Sequence, residues 1–162
     1  LRGHDRSDFE RLYQTWSDPG VTRHLGGQPW TAQDCWFRLM RYLGMWPLLG
    51  FGYWAVCDRS SGLYLGDVGY ADFKRGLGPD FDGLPEAGWV LAPDAAGRGI
   101  ATEAMSAAEA WLEGALGPVR RVCMIEPDNQ ASVRVANKLN YRAFGHAEYG
   151  GSPVTLFERR AA

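Results

Sequence analysis

The stretch that most restricts what this chain can fold into runs from Glu86 to Met105. It opens with an apolar strand, Trp89 to Ala92, which Pro93 stops. A turn of small residues follows, Ala95-Ala96-Gly97-Arg98-Gly99, and an alanine-rich helix starts near Ile100. Strand, glycine turn and helix in that order leave several backbone N–H groups at the helix start without acceptors. Those groups and the helix dipole favour an anion in front of the helix, and glycine lets it approach the backbone closely. The segment therefore predicts a phosphate-bearing ligand, although a plain glycine turn before a helix has the same outline.

Two common phosphate loops do not fit. A Walker A loop needs Lys and Ser/Thr after its last glycine, and here Gly99 is followed by Ile100-Ala101. A dinucleotide fingerprint needs a third glycine where this chain has Thr102, and its strand opens the fold rather than coming late.

At 162 residues the chain reads as one domain, 1–162. Its residues are 46% hydrophobic and 22% charged, which predicts an ordinary globular core rather than disorder. A net charge of -2 gives no basis for a nucleic-acid surface. No apolar run approaches the ~18 residues of a membrane span, and no signal peptide is seen at Leu1. Cys35, Cys57 and Cys123 are odd in number and form no C-x-x-C pair, which speaks against a disulfide framework or zinc site and for a cytoplasmic location.

Leu1-Arg2 reads as the tail of an incomplete leading strand. A helix capped by Asp5 or Ser7 is expected to run to about Trp16, with Phe9, Leu12, Tyr13 and Trp16 on one face and Ser17-Asp18-Pro19-Gly20 ending it. Thr31 and Asp34 outline a capping box for a second helix carrying Trp36, Leu39, Met40 and Leu43. Strands are expected at Gly50–Cys57, Leu63–Phe73, Arg121–Glu126, Tyr141–Tyr149 and Pro153–Arg159, besides the one before Pro93. The helix from Ile100 to about Leu116 places Ile100, Ala104, Ala107, Trp111 and Leu112 together, and another helix spans Ala131 to about Leu139. The order α-α-β-β-β-α-β-α-β-β predicts an α/β (α+β) fold: a mixed, mostly antiparallel sheet with a parallel step at its centre and about four flanking helices.

The turn Gly97-Arg98-Gly99-Ile100-Ala101-Thr102 resembles the acetyl-coenzyme A pyrophosphate loop of the GNAT N-acetyltransferase superfamily, usually Gln/Arg-x-x-Gly-x-Gly/Ala. Gly99 and Ala101 match, while Ala96 departs from the long polar residue at the first position. A second stretch, Asn129-Gln130-Ala131-Ser132 followed by Lys138-Leu139-Asn140-Tyr141, resembles the Asn-x-x-Ser…Lys-Leu-Gly-Phe/Tyr motif of its RimJ/RimL-like branch. Asn140 replaces the usual glycine, and Asn is the next best residue for a left-handed helix end. Asp18-Pro19-x-Val21 and Leu25-Gly26-Gly27-x-Pro29-x-Thr31 look like the same branch, so the resemblance covers nearly the whole chain.

The resemblance implies transfer of an acetyl group from acetyl-CoA to a primary amine by direct attack in a ternary complex, with no metal. The acceptor would be a protein N-terminus or a small amine, and a homodimer through the final strands is common in such chains. It implies coenzyme contacts at Val90, Leu91, Gly97, Arg98, Gly99, Ile100, Ala101, Thr102, Asn129 and Ser132. Many members supply the general acid from a Tyr after the motif Asn; the matching position here is Ala136, which leaves Ser132, with Tyr141 as fallback. The expected base is Glu86, its pKa raised by Asp80 and Asp82 in the adjacent acidic loop. Trp30, Asp80, Asp82 and Glu86 are the expected acceptor contacts. Asn129 also reads as a simple helix N-cap, and Glu86 as a strand-end surface carboxylate. The alternative function is a non-catalytic acyl-CoA-binding protein of the same fold.

Overall fold

The computed structural model describes residues 1–160. Six strands, β1 (Tyr53–Cys57), β2 (Tyr64–Ala71), β3 (Glu86–Leu91), β4 (Arg121–Ile125), β5 (Arg142–Tyr149) and β6 (Ser152–Arg159), form one sheet in the order β1-β2-β3-β4-β6-β5. Every neighbouring pair is antiparallel except β3 and β4. The expected mixed sheet with a central parallel step is present. Arg2 adds a bridge outside β1, its N–H donating to the Ala55 carbonyl at 3.2 Å and its carbonyl accepting from Ala55 at 2.9 Å.

Five helices flank the sheet: α1 (Phe9–Trp16), α2 (Pro19–Thr22), α3 (Ala32–Leu49), α4 (Ile100–Leu116) and α5 (Gln130–Lys138). The sequence reading treated Ser17–Gly20 as a stop and missed α2. Asp18 in fact starts a new turn, accepting from the N–H groups of Gly20 and Val21 with Pro19 at the first helical position. Thr31 and Asp34 form the expected capping box. α3 continues to Leu49 and ends at Gly50, whose φ of 78° closes the helix where a strand was expected to begin.

Helices α1 and α3 pack on one sheet face around Leu12, Leu39, Tyr42 and Tyr53, and α4 and α5 pack on the other around Val68, Met105, Leu112 and Ala136. Both long helices are rotated from the expected faces. In α3 the buried residues are Cys35, Leu39, Tyr42 and Met45, whereas Trp36, Met40 and Leu43 are exposed. Tyr42 goes inside because its hydroxyl donates to the buried carboxylate of Asp67 at 3.3 Å. In α4 the buried face contains Glu109, not Ala107 or Trp111. Tyr141 donates to Glu109 at 2.7 Å, and Arg121 and Arg159 pair with it. A carboxylate neutralised in this way can take a core position that an apolar count assigns elsewhere.

Candidate active site

The feature that organises the site is a split between β3 and β4. Their parallel pairing reduces to Glu86 opposite Val122, and β3 then runs on to Leu91 beside β2 alone. Ala92 donates to the Leu65 carbonyl at 2.9 Å, which fixes the alternation along the strand. Val90 therefore directs its peptide groups to β2, opposite Asp67, while Trp89 and Leu91 direct theirs into the split. The peptide groups of Leu91, an expected coenzyme contact, thus face the gap. Those of Val90, the other expected contact, do not, because a one-residue step reverses the direction of the peptide groups.

Beyond β3 the chain turns through Gly97 and Gly99, at φ 76° and 80°, and enters α4 without a side-chain cap. Among the described residues, no backbone N–H from Gly97 to Thr102 has an acceptor. The turn is exposed, and a Cβ placed on either glycine would meet nothing within 4 Å. The glycines thus serve the left-handed backbone and leave an open cradle of donors that suits an anion. Arg98 lies alongside, its guanidinium 3.4 Å from the Asp94 carbonyl oxygen.

A cleft of about 410 Å³ lies at the split, bordered by Glu86, Gly88, Trp89, Asn129 and Ser132. Glu86 is buried and bound at both oxygens by Arg75, Nε to Oε2 at 2.9 Å and Nη2 to Oε1 at 2.8 Å. Burial pushes its pKa up, Arg75 pulls it back, and Asp72 and Asp82 push up more weakly. The raised pKa is as expected; its main cause is burial rather than the acidic loop. Arg75 also donates to the Tyr149 hydroxyl at 2.9 Å. Tyr53 fills the space beneath β3, so that a Cβ on Gly88 would land on its hydroxyl.

Asn129 is the N-cap of α5, its side chain accepting from the Ser132 N–H at 3.1 Å. The Ser132 hydroxyl accepts from the Trp89 indole at 3.3 Å, which ties α5 to the free side of β3 and leaves the hydroxyl proton available to the cleft. Asn140 has φ 64°, the conformation expected at the end of this helix. Tyr141 is buried against Glu109 and does not border the cleft. Cys123 is buried, and burial raises its thiol pKa well above the ordinary range, which disfavours the thiolate.

Trp30 borders the cleft and a second, more open cavity of about 580 Å³. Asp80 and Asp82 border neither. Asp80 is exposed and pairs with Arg120 at 3.3 Å, while Asp82 accepts from the N–H groups of Gly76 and Gly78. Asp82 thus braces the loop and Asp80 ties it to Arg120, so neither expected acceptor contact lines the cleft. The sequence reading missed Arg38, Arg41, Arg75 and Tyr149, and also His24, which pairs with Glu126 at 2.9 Å across the cleft. No local signal marks them, since each takes its meaning from a distant partner.

The family model for the acetyltransferase (GNAT) domain matches residues 1–142. The chain belongs to the GNAT acetyltransferase family. A GNAT-family acetyltransferase structure from Bordetella pertussis is 31% identical with a TM-score of 0.86, over 98% of this chain and 93% of that one. An uncharacterized N-acetyltransferase p20 of Bacillus licheniformis is 24% identical, over 90% of this chain and 79% of its own length. The spermidine N-acetyltransferase of Vibrio cholerae, solved with CoA and spermine, shares the GNAT fold at 15% identity with a TM-score of 0.77, over 99% of this chain and 94% of that one. Other solved neighbours hold acetyl-CoA. Among the described residues there is no cluster suited to a metal and no helix long and apolar enough to cross a membrane.

Proposed function

We propose that this GNAT chain transfers the acetyl group of acetyl-CoA to a primary amine by direct attack within a ternary complex. The observation that carries the reading is the continuity of the β3–β4 split with the Gly97–Thr102 turn. A strand-like pantetheine arm fits beside the free peptide groups of Trp89 and Leu91, and the pyrophosphate fits the uncapped start of α4. Acetyl-CoA supplies an activated thioester; the chain supplies orientation, hydrogen bonds and proton transfer.

In this reading one of the free N–H groups of Trp89 and Leu91 is the donor for the thioester carbonyl oxygen and the other pairs with the pantetheine arm. Glu86 accepts the amine proton. Arg75 leaves each carboxylate oxygen a further lone pair, so the pair need not break. As the new C–N bond forms and the C–S bond breaks, the leaving sulfur takes its proton from the Ser132 hydroxyl, which regains one from solvent as Glu86 releases its own. Asn129 positions Ser132 by fixing the first turn of α5. An α-amine with pKa near 8 costs about 1.4 kcal/mol to deprotonate at pH 7, against about 4.6 for a lysine amine. A single carboxylate therefore handles an α-amine more readily.

The test is acetyl-CoA binding by calorimetry, followed by thiol release with amine acceptors. Binding together with amine-dependent release supports the reading, and absence of acetyl-CoA binding overturns it. Replacing Glu86 by Gln is expected to lower the rate with little change in acetyl-CoA affinity.

A further inference from the structure

The acceptor end of the cleft carries positive charge that the protein itself leaves unmatched. Arg38, on α3, lies over two neighbouring indole rings, its guanidinium carbon 3.6 Å from the Trp16 ring centre and 4.2 Å from that of Trp30. Its Nη1 donates to the Tyr42 hydroxyl at 2.9 Å, but its Nε is buried with no hydrogen-bond partner among the described residues. Arg41 lies one turn further along α3 and borders both cavities. Neither arginine has a carboxylate within ion-pair distance among the described residues, whereas Arg75, the other arginine bordering the cleft, does. The guanidinium of Arg41 has its pKa lowered by partial burial and then by Arg38, with Arg75 adding to the effect. Desolvation is the larger cause, and the two arginines act behind it as like charges.

The neighbouring carboxylates are already committed. Glu86 is held by Arg75 and Glu126 by His24. Asp34, on the wall of the second cavity, accepts from the N–H and hydroxyl of Thr31 as a helix cap. Asp67 accepts from Trp16, Tyr42 and Tyr64 and pairs with His4, and it reaches Arg38 only through the Tyr42 hydroxyl. An arginine packed over aromatic rings is preorganised to bind an oxyanion, since its fork is already oriented.

We propose that the acceptor is an amine that also bears a carboxylate or comparable oxyanion, bound by Arg38 and Arg41 while its amino group lies near Glu86. The assignment rests on the acetyl-transfer reading and narrows it. Amino acids and aminoalkyl phosphonates fit this chemistry. Spermidine does not: its several ammonium groups would face Arg38 and Arg41 without a free carboxylate.

The experiment measures acetyl-CoA-dependent thiol release with L-amino acids, their carboxamides, aminoalkyl phosphonates and spermidine, beside acetyl-CoA calorimetry on the same protein. The expected result is a kcat/KM for the best acidic acceptor on the order of 10- to 100-fold above its neutral amide. Arg41→Gln, an exposed change, should reduce that ratio while leaving the acetyl-CoA Kd and the melting temperature in place. Arg38→Gln should reduce it further. Carboxamides or spermidine used as well as the acids, or a ratio unchanged in Arg41→Gln and Arg38→Gln, overturns the assignment. So does intact acetyl-CoA binding with no acidic acceptor used, a result that spares the coenzyme reading. Loss of acetyl-CoA binding in the unaltered protein takes down both.

Discussion

Arg75 and Glu86 form a two-point ion pair inside the cleft, with both carboxylate oxygens engaged and burial opposing the charge that the pair preserves. The two influences act on the Glu86 pKa in opposite directions. Burial raises it and Arg75 lowers it, so loss of Arg75 must raise it further.

For an enzyme that uses ionised Glu86 as base, the sign follows. Activity falls as pH drops through the Glu86 pKa, and that limb lies above the value of an unperturbed glutamate. In Arg75→Gln the acid limb of kcat/KM should move to higher pH, so the variant loses more activity at pH 6 than at pH 8. Rates measured from pH 5 to 9 decide the matter. An acid limb that stays in place, or moves down, removes Glu86 from the role of base or Arg75 from its control.

A different dependence joins Gly88 and Tyr53. A methyl group on Gly88 would fall on the Tyr53 hydroxyl, with the ring carbon that bears it only 3.1 Å away. Gly88→Ala should cost about 1–3 kcal/mol of stability, the usual penalty of overpacking. Because β3 is the strand beside the split, the rate should fall with it. Removing the hydroxyl in Gly88→Ala/Tyr53→Phe should restore much of the stability. Urea denaturation of the single and double variants measures the coupling, and additive effects would exclude the contact.

The parts of this molecule readable in the sequence are those defined by short spacings. The β3–turn–α4 unit, the Thr31–Asp34 box and the left-handed Asn140 each depend on residues a few positions apart, and each is present. The faces of α3 and α4 were misread because Tyr42 and Glu109 become core residues only when Asp67, Arg121 and Tyr141 arrive from other elements. The acidic loop shows the opposite error. Asp80 and Asp82 adjoin Glu86 in sequence, yet Arg120 and the loop's own N–H groups draw their carboxylates away. Arg38 and Arg75 carry no motif, and their partners lie on other elements.

The Gly97–Gly99 turn predicts a separation of affinity from stability. Gly99 has φ 80° with open space where a Cβ would sit, so Gly99→Ala strains the backbone without a clash. Gly62, in the β1–β2 hairpin, has φ 73° and equally open surroundings. Both substitutions should lower stability by roughly 1 kcal/mol. Only Gly99→Ala should weaken acetyl-CoA binding, by about tenfold or more, which corresponds to about 1.4 kcal/mol. Calorimetry on the pair tests this directly; equal affinities would mean that the turn does not hold the coenzyme.

Asn129 and Ser132 share one turn of α5, but their side chains do different things. The Asn129 carbonyl oxygen accepts from the Ser132 N–H, whereas the Ser132 hydroxyl faces Trp89 and caps nothing. Asn129→Ala should therefore cost about 1 kcal/mol through the lost cap, with a secondary fall in rate as the turn loosens. Ser132→Ala keeps the cap, so its melting temperature should stay close to that of the parent. If the hydroxyl protonates the leaving sulfur, kcat should fall on the order of 10²-fold while acetyl-CoA affinity holds. Thermal melts, calorimetry and thiol-release kinetics on the two variants separate these effects. Ser132→Ala with full kcat would leave protonation of the sulfur to solvent and reduce Ser132 to a contact for Trp89.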